Sequence, residues 1–243
     1  LRTRVEKKDG GYVINGRKIF ISNGSLASLV TVFASHEATG PIRESVSCFA
    51  VPADTKGFAV GQVFEKMGQR AAPAAELIFD DVWVPEENRL GEENRGFYLI
   101  MANFAWERLL MALAAVGGMQ RVFEVTLSYA KEREAFGRPI GRFQAIRHKF
   151  AEMATKIEAA KQFNYVTAWR YANGEYPVRE IAEVKLFTSR VACEVADECL
   201  QIFGGYGYMK EYEIERAYRD VRLNRIGAGT DEIMLEVIGR YYG

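Results

Sequence analysis

Glu107 is a carboxylate whose setting could do acid–base chemistry. It lies in Trp106-Glu107-Arg108-Leu109-Leu110, an otherwise apolar stretch. A carboxylate flanked by Trp106 and Leu109 is expected to be partly desolvated, which raises its pKa toward the range of a general base. The positions a helical turn away hold Asn103 and Met111, so that spacing offers no lysine or arginine. A second stretch with chemical content is Ile226-Gly227-Ala228-Gly229-Thr230-Asp231-Glu232-Ile233. Asp231 and Glu232 there suit the positive end of a helix dipole, while Ala228 cannot take a proton. Arg133 carries a fork of donors that fits phosphate oxygens, although Lys131-Glu132-Arg133-Glu134 alone reads as a solvated face. The pair Gly204-Gly205 would let backbone amides approach a phosphate, and by itself is more often a helix terminator.

These residues must be held by two kinds of structure. Residues 1–92 read as β structure. Tyr12–Ser22 suggests two strands around the Asn15-Gly16 turn. Leu29–Ala34, Ser47–Val51 and Glu76–Pro85 are β-branched and aromatic runs closed by turn residues. From residue 93 to 243 the periodicity becomes helical. Phe143, Ile146, Phe150, Met153, Ile157 and Ala160 recur at steps of three and four, and Val184, Val191, Val195 and Ile202 continue a second stripe. Pro139 and Pro177 mark helix starts and Gly174 an end, with two shorter helices around Glu211–Arg225 and Asp231–Arg240. The expected fold is α+β: a small β-sandwich or barrel domain followed by an antiparallel helical bundle.

Composition narrows the partners. Lys+Arg and Asp+Glu both number 32, so nothing suggests nucleic-acid binding, which shows a clustered basic excess. No window approaches the roughly 18 consecutive apolar residues of a membrane span, and the chain reads as soluble. Cys48, Cys193 and Cys199 form no Cys-x-x-Cys pair and read as free, mostly buried thiols of a reducing compartment. His36 and His148 are isolated, which leaves no support for a metal site.

Five motifs in order resemble the acyl-CoA dehydrogenases over essentially the whole chain. Tyr12–Gly24 (YVINGRKIFISNG) and Phe79–Gly91 (FDDVWVPEENRLG) resemble strands of that family's middle domain. Tyr129–Gln144 (YAKEREAFGRPIGRFQ), Gln201–Tyr208 (QIFGGYGY) and Ile226–Ile233 (IGAGTDEI) resemble flavin-contacting segments of its C-terminal domain. Most members place a catalytic glutamate where Ala228 stands. In the isovaleryl-CoA and long-chain branch it comes from an earlier helix in a Glu-Arg-Leu context, and Glu107 matches it.

The resemblance implies an FAD-dependent dehydrogenase that introduces an α,β double bond into a fatty or branched acyl-CoA. Glu107 would be the base and the flavin N5 the hydride acceptor. Phe20 matches an aromatic packed on the isoalloxazine ring, and Ser22 a hydroxyl near N5 and O4; read alone, the two simply alternate on a strand. Arg133 and Gln144 match pyrophosphate contacts and Phe136 the adenine end. Gln201 and Gly205 match a reach to a neighbouring subunit's FAD, and Thr230 and Glu232 match contacts from the last helix. Tyr98 and Arg108 match positions near the thioester or CoA. Gly229 lies in the turn whose amide stabilises the thioester oxygen, and Gly227-Ala228 opens space for a branched or long acyl group. The implied assembly is an oligomer, usually a tetramer built as a pair of dimers, with an electron-transferring flavoprotein as acceptor. The implied location is the cytoplasm of a bacterium or the mitochondrial matrix of a eukaryote. The family's N-terminal helical domain and first β segment are expected to be absent from this chain. A non-catalytic or half-site flavin-binding subunit is therefore the alternative, with a flavin monooxygenase or acyl-CoA oxidase on the same fold a third.

Overall fold

The computed structural model describes residues 1–36 and 41–243, which divide into compact units Leu1–Asn103 and Phe104–Gly243. In the first unit the strands are β1 (Arg4–Lys8), β2 (Gly11–Ser22), β3 (Leu29–Ser35), β4 (Val46–Pro52), β5 (Phe58–Phe64), β6 (Ala74–Pro85) and β7 (Arg89–Leu90). They form one sheet in the order β5-β6-β2-β1-β3-β4-β7, and a short helix α1 (Ile42–Ser45) precedes β4. Strands β2 and β4 lie three steps apart, about 14 Å in a flat sheet. Yet the rings of Tyr12 and Phe49, one from each, are only 4.9 Å apart. The sheet therefore curls around its core, in which Tyr12, Ile14, Phe49, Leu77 and Val82 are buried.

The expected turn at Asn15-Gly16 does not form: β2 runs unbroken from Gly11 to Ser22. The hairpin turn is Asp9-Gly10, with φ of 52° and 75°, the left-handed pair of a type I′ turn joining β1 to β2. At Asn15 the register instead shifts by one residue against β6. The Asn15 amide donates to Asp81 Oδ1 at 2.9 Å, and its oxygen accepts from the Asp81 N–H at 2.8 Å, which holds the bulge. β1 and β5 lie outside the runs expected from the sequence.

Helix α2 (Gly96–Glu132) runs from the first unit into the second. A two-stranded ribbon, β8 (Glu134–Ala135) with β9 (Arg138–Pro139), leads to α3 (Gln144–Ala172), α4 (Val178–Phe203), α5 (Glu213–Val221) and α6 (Asp231–Gly239). Pairs between α3 and α4 run in opposite senses: Lys149 with Glu198, Lys156 with Glu194 at 2.8 Å, and Asn164 with Thr188 at 2.7 Å. The two helices are thus antiparallel. Both expected stripes enter the core except at Phe143, which precedes α3: Phe150, Met153, Ile157 and Ala160 pack against Val191, Val195 and Ile202. A second cluster joins Ala105, Leu109 and Ala112 of α2 to Ile181 and Val184 of α4.

By length and composition alone, α2 would suffice to cross a membrane. Its stretch includes Glu107 and Arg108, and its apolar residues Leu109, Ala112, Val116 and Met119 are buried in the bundle cores. Those four positions are where α2 joins the bundle, while only 28% of its apolar window is buried. The three cysteines are free, and burial pushes the thiols of Cys48 and Cys199 up to about 11, so both stay protonated and inert. Among the described residues no cluster of His, Cys, Asp or Glu could hold a metal.

Candidate functional site

In the first unit the expected flavin contacts Phe20 and Ser22 stand on the exposed end of β2. They do not simply alternate. Between Lys18 and Ile21 the strand carries one residue more than β6, and Phe20 takes φ of 59° there. A non-glycine residue in that region costs about 1–3 kcal/mol and recurs at functional positions. The bulge leaves the Phe20 ring 68% exposed, 5.2 Å from the ring of Phe64. An open aromatic face results, with the Ser22 hydroxyl exposed two residues further on. Tyr98, in the first turn of α2, is also exposed, and the Arg95 guanidinium lies 4.9 Å from its ring. Gly96 begins the helix against the backbone of Val46 and Ser47, where a Cβ would come within 2.9 Å.

In the second unit the structure brings Arg108 and the turn at Ala228 together. Arg108 Nε donates to the Ala228 carbonyl at 3.0 Å. Glu107, its chain neighbour, is exposed. The desolvation expected from Trp106 and Leu109 is not supplied by them. Leu109 points into the core, and Trp106 stacks on Tyr171 at 5.7 Å with much of its ring open. Burial lowers the pKa of Arg108, with Tyr176 and Glu107 acting against it; a guanidinium stays charged regardless.

The turn is strained and firmly held. Ala228 has φ of 53° and Gly229 φ of 111°. The Gly229 carbonyl accepts from the ammonium of Lys185, a side chain wholly buried in α4. Thr230 caps α6, its hydroxyl accepting from the Ile233 N–H at 3.4 Å. Asp231 Oδ2 accepts from Arg190 Nε at 3.0 Å and from Arg225 Nε and Nη2 at 2.9 and 2.7 Å. Burial pushes the Asp231 carboxyl up, and the two arginines outweigh it, so the net shift is downward. Glu232 is exposed, and its own backbone amide and the Thr230 hydroxyl lower its pKa. The space expected over Gly227 is partly taken, since a Cβ there would come within 3.0 Å of the Met111 methyl.

The remaining residues gather around the ribbon and the end of α4. Tyr129, Arg133, Ile140, Phe203, Gly204 and Gly205 contribute to the lining of a cleft of about 560 Å³. The Arg133 guanidinium lies 5.3 Å from the Tyr206 ring. Gly204 has φ of 60° and ψ of −136°, and a Cβ on Gly205 would meet nothing within 4 Å, so the backbone is open to a ligand. Phe136 protrudes from the ribbon's turn at 95% exposure with φ of 51°. Gln144 and Gln201 are exposed, at the start of α3 and near the end of α4. Exposed aromatics, an arginine and open glycines suit a planar, phosphate-bearing group such as a flavin dinucleotide.

Lys185, Arg190 and Arg225 were not singled out in the sequence. One signal was there to find. Lys185 interrupts the apolar face of α4 set by Ile181, Val184, Val191 and Val195, a position where a lysine needs a dedicated partner.

Comparison with known proteins adds the lineage. Residues 1–82 match the family model of the acyl-CoA dehydrogenase middle domain, and residues 94–243 that of the acyl-CoA dehydrogenase C-terminal domain. The mitochondrial isovaleryl-CoA dehydrogenase of Oryza sativa is 39% identical over 99% of this chain and 58% of its own length. The crystal structure of a probable acyl-CoA dehydrogenase from Mycobacterium abscessus superposes with a TM-score of 0.96 at 42% identity, over 100% of this chain and 64% of that one. The FAD complex of PigA superposes with a TM-score of 0.95 at 31% identity, over 100% and 63%. The chain thus spans about three fifths of the length of these relatives. It belongs to the acyl-CoA dehydrogenase family, a family of oxidoreductases.

Proposed function

We propose that the protein to which this chain belongs desaturates an acyl-CoA thioester between its α and β carbons, with Glu107 as the general base. The observation that carries this reading is the Arg108–Ala228 hydrogen bond. It ties the helical turn bearing Glu107 to the loop position where a base would otherwise stand and where alanine stands instead. FAD, when bound, supplies the hydride acceptor for the β hydrogen. The chain's own residues do the rest. Glu107 takes the α proton, and the amides of the strained Ala228–Thr230 turn are held by the protein to receive the thioester oxygen as it gains charge. Phe20 and Ser22 offer a ring face and a hydroxyl to the flavin, and Arg133, Phe136, Gln144, Gln201, Gly205, Thr230 and Glu232 hold the dinucleotide. Tyr98 and Arg108 flank the thioester, with Arg108 acting through Ala228. The desolvation that Glu107 lacks here would come from bound substrate and the rest of the protein. An assembled dimer of dimers and an electron-transferring flavoprotein as acceptor complete the reading.

Glu107→Gln in the complete protein tests it. The amide keeps the size and cannot accept the proton, so flavin content should hold while desaturation falls by about 10²–10⁴-fold. Near-normal desaturation of the best acyl-CoA would refute the assignment, and Glu232 would be the next carboxylate to change.

A further inference from the structure

We infer that Lys185 is a positioning residue for this reaction, fixing the Gly229–Thr230 peptide so that its N–H faces away from α4. The inference rests on the dehydrogenase reading above and concerns a residue with no role in it so far.

The geometry is that of two consecutive peptides, each gripped by a cation. Arg108 Nε donates to the Ala228 carbonyl at 3.0 Å, and the Lys185 ammonium donates to the Gly229 carbonyl. In a trans peptide the C=O and N–H point in opposite directions. The amides of Gly229 and Thr230 are therefore turned away from the two cations. A charged donor on a carbonyl also polarises the peptide and makes its N–H a better donor. The turn needs such holding, because Ala228, a residue with a Cβ, occupies positive φ.

Stability alone does not account for Lys185. Its side chain is wholly buried, and the groups facing it are of mixed sign: Asp231 on α6 favours the ammonium while Arg108 on α2 opposes it. Asp231 is itself engaged by Arg190 and Arg225, so it is not a dedicated counter-ion. Burial pushes the lysine down to about 8. An apolar side chain of similar length would fill the site without an ammonium to desolvate. What a lysine adds is the grip on Gly229.

The test compares Lys185→Met, Lys185→Gln and the control Val184→Ala in the complete protein. Val184 is buried beside Lys185 on the same helix but packs into the apolar cluster with Leu109 and Ala112. Hydrogen exchange of the peptide covering residues 226–233 is read by mass spectrometry, alongside flavin content and the separate kcat and KM for an acyl-CoA. In Lys185→Met, exchange in the turn should rise about tenfold or more. Its kcat should fall about 10–100-fold, the scale of a small misplacement of a catalytic group, with KM changed less than about threefold. Lys185→Gln keeps a neutral donor and should fall between, and it carries the test if Lys185→Met does not fold. Val184→Ala should move neither the turn exchange nor kcat. Wild-type protection of the turn in both Lys185 variants overturns the inference, as does the same kcat loss in Val184→Ala. If the unaltered protein desaturates no acyl-CoA, the reaction assignment falls by itself, and the exchange data still decide whether Lys185 holds the turn.

Discussion

Asp231→Asn removes one charge from the best-organised ionic cluster of the bundle and leaves the shape unchanged. Asp231 is 3% exposed, and its Oδ2 takes three hydrogen bonds from two guanidinium groups, at 3.0, 2.9 and 2.7 Å. Hydrogen bonds to a charged group contribute about 1.5–3 kcal/mol and neutral ones about 0.5–1.5, so each arginine loses about 1 kcal/mol when its acceptor becomes an amide. Two arginines give about 2 kcal/mol. Both are partly open to water, with side chains 44% and 37% exposed, and rehydration recovers part of it. Asp231 Oδ1 is buried without a hydrogen-bond partner, so the asparagine N–H₂ group placed there would gain none. The expected loss is about 1–2 kcal/mol, measured as the shift in urea midpoint at constant slope near pH 7. The pH profile sharpens the test. The folded pKa of Asp231 is depressed, so its stabilisation is fully present above the ordinary value of 3.8 and fades as pH falls through the folded value. The gap between unaltered protein and variant should hold flat from pH 5 to 8 and close in acid below 3.8. Equal midpoints near pH 7, or a gap that survives full protonation in acid, would refute the reasoning.

Other expectations follow from single observations. Lys18 donates to the Phe33 carbonyl at 2.6 Å and, like Lys185, is pushed by burial down to about 8 from 10.5. The unfolded chain then binds more protons than the folded one between these values, so stability should rise with pH from about 8 to 10.5; replacing both lysines with methionine should flatten that slope. Gly57 has φ of 89°, and a Cβ there would lie 2.1 Å from the Asp80 carbonyl oxygen. Gly57→Ala should therefore destabilise the sheet unit by about 2–4 kcal/mol in thermal or denaturant unfolding, and an unchanged midpoint would mean the β5–β6 corner moves freely. Leu109→Ala empties a buried position between α2 and α4 and should lose about 2–4 kcal/mol of bundle stability by the same measurements.

Much of the architecture was legible in the residues because period and pattern report it directly. Steps of three and four placed the faces of α3 and α4, and the β-branched runs placed β3, β4 and β6. The family motifs could be matched along the chain because each lies within a short local segment. Local pattern failed where a partner strand decided the outcome. Asn15-Gly16 carries the strongest short turn signal, yet β6 pairs along both halves of β2 and draws it straight, while Asp9-Gly10 makes the turn. The bulge that exposes Phe20 was likewise invisible, because it is a mismatch of register between two strands distant in sequence. At the candidate site, the family motifs drew attention to Glu107, the Ala228 turn and Arg133. Which side chains grip that turn depended on packing. Lys185, Arg190 and Arg225 come from α4 and from the segment before α6, and a hydrogen bond between residues so far apart has no period to betray it. Residue chemistry set what could react, and the burial of α4 against α2 and α6 decided what is held still.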